Sequence, residues 1–266
     1  MDAIFDFSGI NAAIFDMDGV IWRGSEILPG VPDLFLFLRE HNIPYAMATN
    51  NATRQVGEYV ARLQSLGVPV EPQYIITSGL VTLETLTRSY PPGTPIYVFG
   101  PDSLKELLVS QGYVVDPEKA AVVIVGLDRN ISYEKLSIAG QRIMAGAEFI
   151  GTNSDATLPT PTGEVPGAGT FVAAVSAMTG RKPRLMGKPE PDMFNVALER
   201  LGSTPECTLM IGDRFETDIE GAQRAGLRTA LVLTGVSTRD DIGDMPPNGV
   251  FDDLASILTA WKQVLS

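Results

Sequence analysis

Short apolar runs alternate with longer amphipathic stretches along this chain, a pattern that commits it to βαβ units and a parallel sheet covered on both faces. Residues 11–15 read as a buried strand ending at Asp16. Residues 32–40 carry apolar side chains at helical spacing, and 43–48 read as a second strand ending at Thr49. A helix over 55–66 is stopped by Gly67, and 74–77 form a third strand. A fourth strand, 207–211, stops at Gly212-Asp213; after it a short helix closes over 222–225 before Gly226, and a fifth strand spans 229–233.

Residues 78–206, between the third and fourth strands, form an interval far beyond what one crossover needs, so it must hold a domain of its own. Inside it, 95–99, 121–125 and 149–151 read as strands, with helical patterns at 103–111, 133–145 and 170–178. The expected fold is therefore α/β: a Rossmann-like doubly wound core over 1–82 and 180–266, with a smaller α/β domain inserted over 83–179. Pro91-Pro92-Gly93 and the stretch 180–183 punctuate its boundaries.

Hydrophobic residues make up 44% of the 266 and charged residues 20%, with no uninterrupted apolar run of about 18, so a soluble protein is expected rather than a membrane-spanning one. The start, Met1-Asp2-Ala3-Ile4-Phe5-Asp6, is acidic where a secretory signal is basic, which predicts a cytoplasmic location. With a single cysteine, Cys207, no intramolecular disulfide and no cysteine metal cluster can form. It falls within the fourth predicted strand, where a small buried apolar role suits it better than nucleophilic catalysis. A net charge of −12 argues against nucleic acid as a partner. An anionic substrate would then need local attraction, which a carboxylate-held divalent cation and one lysine would supply.

In a doubly wound sheet of order 3-2-1-4-5, strands 1 and 4 lie side by side and ligands sit beyond their carboxyl ends. Asp16 and Asp18 follow strand 1, while Asp213 and Asp218 follow strand 4, so four carboxylates converge on one crevice. A single Asp after a strand is more often a turn or cap residue, but four at matched strand ends repel one another unless a cation fills the space between them. Magnesium is the hard, oxygen-preferring candidate. Thr49 at the end of strand 2, the amides of Asn50 and Asn51 beside it, and Lys188 in Gly187-Lys188-Pro189 add the donors that phosphate oxygens require.

Asp16-Met17-Asp18-Gly19-Val20, Ala48-Thr49-Asn50-Asn51, Gly187-Lys188-Pro189 and Gly212-Asp213 with Asp218 resemble, in order, the four motifs of haloacid-dehalogenase phosphatases. The long insert, with Gly163-Glu164-Val165-Pro166-Gly167-Ala168-Gly169, resembles the NagD-like and 4-nitrophenylphosphatase branch with a type C2 cap. The resemblance implies a magnesium-dependent phosphomonoester hydrolase acting on a small phosphorylated metabolite such as a nucleoside monophosphate or sugar phosphate. It further implies that Asp16 is the nucleophile, that Asp18 is the acid and then the base, and that Thr49, Asn50 and Lys188 bind the phosphoryl group. The metal would be held by the carboxylates of Asp16 and Asp213 and the backbone carbonyl of Asp18, with Asp218 acting through a bound water. A phosphotransferase on the same scaffold stays open, as does a homo-oligomer. A pure phosphate-binding module is disfavoured, because it has no need of a second acid at Asp18.

Trp22 and Arg23 could belong to a flap over the leaving group, or Trp22 could be a core residue. In the insert, Gly151-Thr152-Asn153-Ser154-Asp155 could face substrate or form a plain turn. The sole histidine, His41, lies in a polar turn and is expected to be a solvated loop residue.

Overall fold

The computed structural model describes residues 5–160 and 163–265, so most of the acidic start read above as lacking a signal, Met1 to Ile4, lies outside the described residues. The chain divides into two compact units, one of residues 1–49, 56–76 and 188–266 and the other of residues 50–55 and 77–187.

The first unit is built on six strands in the order Gly249–Phe251, Arg228–Val232, Thr208–Gly212, Ala12–Phe15, Tyr45–Thr49, Ile75–Thr77. This is the predicted 3-2-1-4-5 order with a sixth strand added beyond the fifth. The central strands are parallel and buried along their whole length, which is why they read as continuous apolar runs rather than alternating ones. Register then fixes the neighbours at the carboxyl end: Phe15 lies opposite Ile211 on one side and Met47 on the other. The residues that follow, Asp16, Gly212-Asp213 and Ala48-Thr49, must therefore emerge together.

Helices Val31–Glu40 and Leu254–Leu265 pack against each other, with Phe7 stacked on Trp261 at 4.8 Å and Phe15 against Phe35 at 4.7 Å. Each fully buried Phe or Leu in this cluster contributes about 1.5–3 kcal/mol to holding the strand ends in place. The terminal helix and sixth strand escaped the sequence-based expectation.

The second unit holds a five-stranded parallel sheet in the order Arg184–Leu185, Glu148–Gly151, Val122–Val125, Pro95–Phe99, Val114–Val115. Helices Ser78–Ser89, Asp102–Ser110, Tyr133–Met144 and Ala168–Thr179 accompany it, with a hairpin of Thr157–Thr160 and Gly163–Pro166. Its bounds differ from the predicted insert of 83–179. The helix Ser78–Ser89 begins directly at the third strand, capped by Thr77, whose Oγ1 accepts from the Leu80 amide. At the other end, Arg184–Leu185 pairs with Ile150 and Gly151, which carries the unit on to Gly187. Among the described residues, no helix is long and apolar enough to cross a membrane.

Two smaller expectations need comment. Cys207 is not inside the fourth strand: it ends a 3-10 turn, Pro205–Cys207, and is only half-buried, because Pro205 opens the turn and its carbonyl bonds the amide of Thr208. His41 caps the helix Val31–Glu40 and is exposed, its ring resting on Phe37.

Candidate active site

Asp16, Asp213 and Asp218 each offer a carboxylate oxygen within 4.8 Å of the others. Lys188 Nζ lies 2.6 Å from Asp16 Oδ1 and 2.6 Å from Asp218 Oδ1, joining residues far apart in sequence. Both Lys188 and Asp218 are almost wholly buried, at 2% and 1% exposure. Removing these charges from water costs several kcal/mol each, so the cluster persists only through mutual pairing and hydrogen bonds.

Those hydrogen bonds come from the backbone. Asp218 Oδ2 accepts from the amides of Asp213 at 3.1 Å and Arg214 at 3.0 Å, a loop closed by the single π turn Phe215–Ile219. Asp213 Oδ2 accepts from the Val236 amide at 2.8 Å, and its carbonyl accepts from Ser237. Val236 and Ser237 carry no chemical motif of their own in the sequence. The available signal was Gly235 after the fifth strand: a Cβ there would stand 1.8 Å from Asp213 Oδ2, so only glycine lets that loop close on the carboxylate.

Three carboxylates share the one buried ammonium of Lys188 in this group, and Arg214 adds a second positive charge acting on Asp213. Burial, reinforced by the Asp218 charge, raises the Asp213 carboxyl to about 6. Burial likewise holds Asp16 well above the usual carboxylate range, with Asp218 and Asp213 adding to it and Lys188 opposing. For Lys188, burial disfavours the charged form, but Asp16 and Asp218 override it and keep the ammonium above its ordinary value. Asp213 Oδ1 is buried without a hydrogen-bond partner. An oxygen-rich, net-negative cluster with an orphaned carboxylate oxygen fits a hard divalent cation.

Thr49 ends its strand two residues beyond Met47, at the same end of the sheet, and is buried. Asp18, by contrast, is exposed, and its carboxylate is turned toward Trp22, whose Nε1 donates to Oδ1 at 2.8 Å. Its side chain is not one of the three clustered carboxylates. Trp22 is thus both a core residue, 1% exposed, and a site neighbour. Arg23 donates to the carbonyl of Thr234.

Asn50 falls in the second unit. Its Nδ2 donates to Asp155 Oδ2 at 3.0 Å, and its carbonyl accepts from Ser78 Oγ and Asn153 Nδ2. The polar residues of 151–155 are accordingly occupied, at least in part, in tying segment 50–55 into that unit.

Known proteins agree with this architecture. The haloacid dehalogenase-like hydrolase model matches residues 13–114, and a second, HAD-hydrolase-like model matches 185–257. The chain belongs to the haloacid dehalogenase-like hydrolases. An acid sugar phosphatase of Staphylococcus saprophyticus is 36% identical over 251 residues, covering 93% of this chain and 96% of the relative. The crystal structure of a 4-nitrophenylphosphatase from Thermotoga maritima superposes with a TM-score of 0.90 at 34% identity, covering 97% of this chain and 98% of that one. NagD from Escherichia coli K-12 gives 0.85 at 31% identity, covering 92% and 97%. Within the family the chain is a NagD-like phosphatase.

Proposed function

We propose that this phosphatase is a magnesium-dependent phosphomonoester hydrolase that works through an aspartyl phosphate on Asp16 and acts on small organic phosphates. Sugar phosphates come first, in keeping with the acid sugar phosphatase relatives, with 4-nitrophenyl phosphate as a ready surrogate and nucleoside monophosphates as further candidates. The observation that carries the reading is the Asp16–Lys188–Asp218 chain of ion pairs beside the unbalanced Asp213.

In this mechanism an Asp16 carboxylate oxygen forms a bond to phosphorus as the bond to the leaving oxygen breaks, and Asp18 gives that oxygen a proton. Asp18 then takes a proton from the water that cleaves the aspartyl phosphate, releasing inorganic phosphate and restoring Asp16. Lys188, Thr49 and the residue after it, Asn50, are assigned to the phosphoryl oxygens, because phosphoryl transfer is largely positioning and charge neutralisation. Asp16, Asp213, Asp218 and the Asp18 carbonyl would hold magnesium. Magnesium, when bound, supplies the positive charge that this cluster and a phosphate both lack. The inserted unit is read as a type C2 cap that selects among substrates, and the working location as the cytoplasm.

The test is a hydrolysis screen over sugar phosphates, nucleotides and 4-nitrophenyl phosphate, with magnesium and with chelator, using Asp16→Asn as control. The variant should lose at least about 10³-fold in kcat while staying folded. Substantial activity in Asp16→Asn defeats the covalent mechanism.

A further inference from the structure

The assignment of Asp18 as proton donor leaves a chemical question that the fold answers. A carboxylic acid has two oxygens, and only the one bearing the proton can serve the leaving group. The segment after Asp16 doubles back: the Ile21 amide donates to the Met17 carbonyl at 2.8 Å and the Gly19 amide to the Trp22 carbonyl at 2.8 Å. This places Trp22, four residues on, beside Asp18, and the strand Trp22–Arg23 is held by Glu26–Ile27 across a short hairpin. The indole Nε1 donates to Asp18 Oδ1 at 2.8 Å. An indole N–H is a donor only, so the oxygen it meets must be an acceptor.

Trp22 is itself braced. The Arg62 guanidinium lies 3.9 Å from the centre of its ring, and Arg62 also donates to the carbonyl of Gly24 in the hairpin turn. A cation over the ring draws electron density from it and makes the N–H a stronger donor, while Arg62 also fixes the ring plane. Thr234 Oγ1 donates to the Gly19 carbonyl at 2.6 Å, and Arg23 donates to the Thr234 carbonyl, so both sides of the turn are tied to the loop after the fifth strand.

We infer that Trp22, braced by Arg62, is a positioning residue for Asp18: by holding Oδ1 it fixes the plane of the carboxyl group and leaves Oδ2 as the oxygen that exchanges a proton with the leaving group. The inference rests on the proposed role of Asp18, and its consequence depends on the substrate. An alkoxide leaving from a sugar phosphate needs a proton, whereas 4-nitrophenolate departs largely without one. Losing that fixed orientation therefore harms the first reaction much more than the second.

Trp22→Phe keeps the ring and removes the donor; Arg62→Met removes the cation and keeps the donor. For Trp22→Phe, kcat on a hexose phosphate should fall about 30-fold and on 4-nitrophenyl phosphate about threefold, with KM nearly unchanged. Arg62→Met should show the same split at about fivefold against twofold. A fold defect would lower both substrates alike, and melting curves establish which variants are folded. An unchanged ratio between the two substrates in whichever variant folds overturns the inference. Asp18→Asn, run beside them, separates the two levels: no split there removes the proton-donor reading itself, while a split there with none in Trp22→Phe removes only the role of Trp22.

Discussion

Each unit of this protein is a parallel sheet with buried aspartate beyond its strand ends, Asp128 in the inserted unit and Asp16 and Asp213 in the core, and the two settings differ. In the inserted unit, Asp128 follows the strand Val122–Val125, is 5% exposed, and meets Lys135 Nζ at 2.7 Å. Its other oxygen accepts from the Asn130 amide at 2.7 Å. One acid meets one base, and the Lys135 ammonium also donates to the Asn130 carbonyl. In the core, Lys188 is shared between Asp16 and Asp218 while Asp213 is left with an unpartnered oxygen and a carboxyl raised to about 6. Burial of an acid is thus not what distinguishes a reacting site from a structural clasp. The excess of like charge is, because a protein tolerates it only where a cation or substrate completes the balance.

The sharpest way to break this comparison is to remove the shared base. Lys188→Met should cost about 3–5 kcal/mol in the metal-free protein, since it strands buried carboxylates, and should lower kcat at least about 100-fold. Denaturant melts with and without magnesium check the first part, and magnesium should recover much of the loss. A variant as stable as the parent in chelator would show that the cluster is not under charge stress.

A second test titrates the excess. A carboxyl whose folded pKa of about 6 lies above its unfolded value of about 3.9 takes up a proton on folding between those limits, so stability falls as pH rises through that window. From Asp213 alone, metal-free protein should be about 2 kcal/mol less stable at pH 7 than at pH 4. Asp213→Asn should flatten that slope, as should saturating magnesium. A slope unaltered in the variant would assign the effect elsewhere.

The smallest effect belongs to the balanced pair. Asp128→Asn should cost about 1–2 kcal/mol, discounted because the Lys135 side chain is 40% exposed, and should leave kcat within about twofold. A large loss of activity there would erase the distinction between the two acids.

Much of this was legible in the sequence. Strand ends at Asp16, Thr49 and Gly212-Asp213 were visible because a strand buried on both faces must be an apolar run, and the run stops where polar chemistry starts. The helix Ser78–Ser89 was not visible, because its Ser, Gly and Thr content imitates a loop while its buried face includes Ser78, Gly79 and Thr82. Asn50 read as a partner of Thr49, yet its side chain is engaged by Asp155, a contact across about a hundred residues that no local pattern encodes.

By itself, then, the order of residues determined the kind of sheet and the interruption by an insert, since both are written in local periodicity and spacing; it gathered Asp16, Asp213 and Asp218 but also Asp18, whose carboxylate is turned toward Trp22. Tertiary structure alone decided that Lys188 bridges Asp16 and Asp218, that Val236 caps Asp213, and that Trp22 under Arg62 holds one oxygen of Asp18. These are matters of distance and dielectric between groups remote in sequence, and they take values only once packing has removed the water between them.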